Sequence, residues 1–210
     1  MTSKTRLGGT AKSRGTASLT HALLVIDMQR AAFSRPAPLF DAPNLVHRID
    51  LLAARVREAS GRVVWVRFSG PEGSPHHPES EGWQLVPGLN VEPYDVHLPK
   101  PASDAFHGTD LEAILGPPDE TRVIITGCDT EFCIDSTVRS ALARGYPVIV
   151  PEDGHSLVDR EHLTAEQIIR HHNAIWSTPG AHAGSLKVCK CSEILSQYSE
   201  GATKQGVASP

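Results

Sequence analysis

Long apolar runs are absent from this 210-residue chain. No stretch of 18 consecutive hydrophobic residues occurs, so the sequence offers no membrane-spanning helix. Cysteine is confined to Cys128, Cys133, Cys189 and Cys191. That spacing makes no disulfide framework, and with no secretory hydrophobic region a reducing, cytoplasmic location is expected. Excess positive charge is also lacking: the net charge is −4, although the first 20 residues hold Lys4, Arg6, Lys12 and Arg14 and no acid. The remainder is therefore more acidic than the whole, which argues against a phosphate-tracking nucleic-acid surface. No GxGxxG follows the first apolar segment, so neither a dinucleotide nor another cofactor is expected. Aromatic residues make up only 5% of the chain, and no internal repeat is found.

With 40% hydrophobic content, the chain can build one proper core but not two of ordinary size. A single domain is expected over 21–197, between a disordered basic tail at 1–20 and a flexible polar tail at 198–210. Apolar strand candidates recur at Ala22–Ile26, Arg62–Phe68, Asp95–Leu98, Val123–Thr126, Pro147–Val150 and Leu186–Lys190. Helical spacing lies between them, as in Leu45, Ile49, Leu52 and Val56. Thr109 with Glu112, and Thr164 with Gln167, have the spacing of capping boxes. This alternation predicts a three-layer α/β/α sandwich with a six-stranded, mostly parallel, Rossmann-like sheet. The segment FSGPEGSPHHPESEGW has no period and is expected to form a long loop near the pocket.

The most informative stretch is TGCDTEFCIDSTVRSALARGYPVIV. It reads as a strand ending at Gly127, a turn with a cysteine, a helix marked by Ile134, Val138, Ala141 and Leu142, and a second strand. Cys133 falls in the helix's first turn, where free N–H groups and the dipole favour a thiolate. Alone, a cysteine between strand and helix is most often a small buried packing residue. Two further groups change the balance: Asp27 closes the apolar segment of HALLVIDMQ, and Lys100 closes that of VHLPK. In an open parallel sheet such strand ends converge on one crevice.

Three motifs in order, VIDMQ, then K followed by DAFHGT, then GCDTEFCIDSTVRSA, resemble those of the isochorismatase-like cysteine hydrolases. That superfamily includes nicotinamidases and N-carbamoylsarcosine amidase, and the likeness runs from about Leu19 to Leu195. It implies that Asp27, Lys100 and Cys133 are a catalytic triad, with Asp27 carrying the proton and Lys100 holding positive charge beside it. It further implies oxyanion donors at the amides of Asp129 and Cys133, and a cis peptide between Cys128 and Asp129. The activity implied is hydrolysis of a small-molecule amide or other C–N bond through a thioester. Vinyl-ether hydrolysis by water attack, and a catalytically idle binding protein, are the alternatives.

Nicotinamidases place a metal-binding DxH element after the second strand, whereas this chain reads VRFSGPEGSPHHPE there. His76 and His77 are adjacent and suit one tetrahedral ion poorly, so no metal is expected. Phe33, Phe68, Trp83, Phe106 and Phe132 lie in or beside the motif loops and are expected to form an apolar cage for the substrate. Glu131 stands close enough to tune the thiol, and His155 either lines the site or serves as a hydrogen-bonded structural histidine. The helix carrying Ile168, Ile169, His171, His172, Asn173, Ile175 and Trp176 is expected to face another subunit in a dimer or tetramer.

Overall fold

A computed structural model describes residues 19–178 and 185–205. The expected basic tail lies outside the described residues except at its inner end. Seven parallel strands make one sheet: β1 (Thr20–Ile26), β2 (Arg62–Phe68), β3 (Val96–Lys100), β4 (Thr121–Cys128), β5 (Val148–Pro151), β6 (His155–Ser156) and β7 (Leu186–Cys189). The order is β3-β2-β1-β4-β5-β7, and β6 pairs with the end of β4 through Gly127↔His155 and Cys128↔Ser156. The expected six-strand count is thus one short. Two residues carry no periodicity, which is why β6 left no trace in the sequence.

Among the described residues six α-helices cover the sheet: α1 (Arg30–Phe33), α2 (Ala42–Glu58), α3 (Leu111–Leu115), α4 (Asp135–Ala143), α5 (Ala165–Trp176) and α6 (Cys191–Gln205). Strand periodicity divides the core. Leu23 and Val25 of β1 join Leu45, Ile49, Leu52 and Val56 of α2 and Ile194 of α6 on one face. Leu24 and Ile26 join Leu111, Val138, Leu142 and Trp176 on the other. Helix α6 runs through to Gln205, into the stretch expected to be a flexible tail. The pair Cys189 and Cys191 straddles the junction from β7 to α6.

Helix starts follow their capping chemistry. Thr164 and Gln167 form the complete capping box of α5, as their spacing predicts. The other box does not form. Thr109 Oγ1 instead donates to Ala105 O and accepts from Leu111 N–H, which delays α3 to Leu111 and leaves Asp110 as its cap. On α5, Ile168 and Trp176 are buried within the chain, and only Ile169 and Ile175 remain half-buried. Two of the four large apolar side chains expected at a subunit contact are therefore buried within the chain itself.

β1 and β4 lie side by side while their connections leave in opposite directions, so a crevice opens at their carboxyl ends. Gly127 makes the close approach possible. Its φ is +116°, and a Cβ there would lie 2.0 Å from Ile26 O. Gly127→Ala is expected to destabilise the fold by roughly 2–4 kcal/mol, adding the strain of a positive φ to overpacking against backbone. A urea titration reads this as a lower midpoint, and a loss under about 1 kcal/mol would contradict the account.

Candidate active site

Three strand ends deliver the three expected side chains to one point. Asp27 leaves β1 in the left-handed conformation, φ 53°, with its N–H on Val66 O at 2.9 Å. Its Oδ1 accepts from Phe68 N–H at 2.9 Å, and its Oδ2 lies 2.8 Å from Lys100 Nζ. Lys100 is 0% exposed. Its ammonium donates to Asp27, to Ala102 O at 2.9 Å and to Cys133 Sγ at 3.2 Å, which uses all three of its protons. Asp27 also acts on the Cys133 thiol, favouring its protonated form. Gln29, fully buried, receives Phe68 N–H on Oε1 and donates to Phe68 O and Trp83 O, so it fixes the end of β2 against the long loop.

Cys133 does not open an ordinary α-helix. It sits in a π-helical turn, Thr130–Ile134, that leads into α4. The peptide between Cys128 and Asp129 is cis, and Phe132 and Ile134 N–H both donate to Asp129 O, at 3.1 and 3.2 Å. The expected thiolate is also corrected. Burial, then the Asp27 charge, push the Cys133 thiol up to about 12 against the pull of Lys100. Burial likewise raises Asp27 despite the neighbouring ammonium. Burial opposes charge on Lys100, but Asp27 and Cys133 together outweigh it and hold its pKa above the ordinary value. The resting sulfur is therefore a thiol, with a carboxylate in place to receive its proton.

A pocket of about 230 Å³ opens onto Asp27 and Cys133. Of the five aromatics expected around it, Phe68 and Phe132 line it, Phe132 remaining 53% exposed. The others have different employment. Phe106 is buried against Tyr146, Trp83 carries the Arg67 guanidinium 3.5 Å above its ring, and Phe33 packs on the α2 side of the core. In their place stand Arg35, His76 and Asp129. Nothing in the sequence marked Arg35, which lies in an irregular segment after α1. His76 had been weighed only as a metal ligand; it meets the Phe68 ring edge-on at 5.6 Å. Among the described residues no three His, Cys, Asp or Glu side chains converge as a metal-binding group.

Glu131 accepts from Arg160 Nε at 2.7 Å and also pairs with its Nη2. His155 stands behind the turn that carries Cys133. Its Nε2–H donates to Asn173 Oδ1 and its Nδ1 accepts from the Thr130 hydroxyl, both at 3.0 Å, while Asn173 Nδ2 donates to Glu152 O at 2.9 Å. The Thr130 hydroxyl can serve either form of the ring; burial, which disfavours the charged form, selects the neutral ring in which Nδ1 accepts. Asn173, expected at a subunit contact, is thus occupied inside its own chain.

With this geometry, comparison with known proteins is specific. The Isochorismatase domain matches residues 21–177. A streptothricin hydrolase from Streptomyces noursei is 33% identical over 138 residues, covering 66% of this chain and 50% of that protein. A ureidoacrylate amidohydrolase from Cronobacter sakazakii is 30% identical over 168 residues, covering 63% and 72%. The chain thus spans about half the length of the first of these relatives. The crystal structure of an isochorismatase family protein, 31% identical, superposes with a TM-score of 0.74 over 83% of this chain and all of that one.

Burial lowers the pKa of His155 from 6.5 to about 4. Between those values the unfolded chain binds a proton that the folded chain refuses. Stability is therefore full above pH 6.5 and falls as the pH drops toward 4, by up to about 3 kcal/mol from this residue. Urea midpoints at a series of pH values check this: His155→Gln should flatten that part of the acid limb, and an unchanged limb would contradict it.

Proposed function

This chain belongs to the isochorismatase family, and from that membership we propose that it is a cysteine hydrolase cleaving a small-molecule amide or other C–N bond. The observation that carries the proposal is the buried contact of Lys100 with both Asp27 and Cys133, at 2.8 and 3.2 Å. Asp27 takes the Cys133 proton as sulfur attacks the carbonyl carbon. The amides of Asp129 and Cys133, both lining the pocket, receive the oxyanion. On collapse the C–N bond breaks, the proton on Asp27 passes to the departing nitrogen, and an acyl thioester remains on Cys133. Asp27 then draws a proton from water, whose oxygen attacks the thioester; the acid leaves and sulfur regains the proton.

The electrostatics support this route. Sulfur and carboxylate share one proton beside one ammonium, so transfer moves the negative charge without altering the site's net charge. The streptothricin and ureidoacrylate hydrolases among its relatives support C–N chemistry over vinyl-ether hydrolysis. Metal independence is part of the proposal, supported by the missing DxH element after β2.

Cys133→Ala should fold normally and lose at least about 10³-fold in kcat/KM across a screen of small amides, carbamoyl compounds and lactams. Cys133→Ser should be nearly as inactive, because its hydroxyl is harder to deprotonate. Intact-mass detection of an acyl adduct on the wild-type chain completes the test, and turnover by Cys133→Ala would overturn the mechanism. Exhaustive dialysis against a chelator should leave activity unchanged; loss restored by added zinc or iron would refute metal independence.

A further inference from the structure

The pocket wall holds an ion pair where an aromatic cage was expected. Arg35 Nη1 donates to Asp129 Oδ2 at 2.6 Å, and both residues line the pocket. The Asp129 side chain is 10% exposed, yet its Oδ1 is buried with no hydrogen-bond partner among the described residues. A carboxylate with one oxygen withdrawn from water and left without a donor is under-satisfied, so an incoming N–H at the Asp129 carboxylate brings a gain that a solvated carboxylate would not provide. Arg35 supplies the complement. Its guanidinium has five N–H donors, and the contact with Asp129 engages Nη1. Arg160 Nη2 stands 3.6 Å from Asp129 Oδ2, which keeps that carboxylate compensated if Arg35 shares itself with a ligand.

The pair's net charge decides what it accepts. A carboxylate arriving at Arg35 meets the negative charge of Asp129, and an ammonium arriving at Asp129 meets the positive charge of Arg35. The other charged groups facing the cavity are the Asp27–Lys100 pair, also balanced, and burial lowers the His76 pKa so that it adds no charge at neutral pH. A neutral group presenting a carbonyl oxygen beside an N–H satisfies both partners at once.

We propose that Arg35 and Asp129 form the recognition edge of this pocket and select ligands with a neutral amide or ureide edge, carbonyl to Arg35 and N–H to the Asp129 carboxylate. This specificity rests on the reading of the pocket as a substrate site. It is a role additional to the backbone amide of Asp129, and it places a second amide-type group on the substrate beside the scissile bond.

NMR titrations of the full chain with 2-imidazolidinone, its 1,3-dimethyl derivative and acetate test the proposal. The first carries both C=O and N–H, the second only C=O, and the third a charge. In the wild type, 2-imidazolidinone should bind at least about tenfold more tightly than either other probe, the fold-change expected for a hydrogen bond to a charged group. In Asp129→Ala the gap between the two cyclic ureas should close, and acetate should become the tightest of the three. A gap that persists in Asp129→Ala shows that the methyl groups are excluded by size and overturns the proposal, as does acetate ranking first in the wild type or failure of 2-imidazolidinone to bind. Should circular dichroism show Asp129→Ala unfolded, Arg35→Gln decides: 2-imidazolidinone should weaken about tenfold and imidazolium should gain, and an unchanged ranking rejects the edge. Amide hydrolysis without the probe ranking removes the recognition edge alone, whereas the ranking without hydrolysis removes the hydrolytic reading alone.

Discussion

A fully buried ammonium must be surrounded by acceptors, and that requirement organises this protein. Lys100 lies at the end of β3, with two strands standing between it and β4 and the turn that carries Cys133. An uncompensated cation there would be unfavourable by several kcal/mol. Its three protons are met by a carboxylate from the end of β1, a carbonyl in the chain after β3, and a sulfur from beyond β4. No one of these segments completes the arrangement locally. The register of β1 against β2 and of β2 against β3 therefore has to be correct before the lysine can be buried at all.

The same requirement shapes the chemistry proposed for the site. A lone thiol at the mouth of a cleft would be activated by lowering its pKa. Here burial does the reverse, and the sulfur rests protonated. What the site provides is a short path for the proton and a fixed cation that serves whichever partner is charged. On the proposed route the arrangement favours attack when an acceptor carbonyl is present, and a protonated sulfur is less open to alkylation and oxidation than a thiolate.

Much of this was legible in the sequence. The strands that join the main sheet path carry strong apolar patterns and begin and end within a few residues of where their patterns put them. Asp27, Lys100 and Cys133 were visible because each ends such a pattern or follows one. The misses are equally physical. Thr109 has the right spacing for a capping box, but its hydroxyl finds Ala105 O first. The π turn at Thr130–Ile134 differs from an α-helix by a shift in hydrogen-bond partner, to which apolar spacing is blind. The pocket wall was misjudged because aromatic residues near motifs were counted without knowing which way they turn, while Arg35 acquires its meaning only from Asp129, far away in the chain.

The chain of hydrogen bonds from Thr130 through His155 and Asn173 to Glu152 has a dynamic consequence. It joins the turn that carries Cys133, the short β6 strand and α5 into one cooperative unit. Local opening of α5 would expose the buried imidazole and release Thr130 together, so the backbone amides of the turn should exchange with solvent deuterium at the rate of α5 rather than independently. The helix packed behind the turn would then govern how long Cys133 stays aligned, on a timescale set by subglobal unfolding rather than by loop motion.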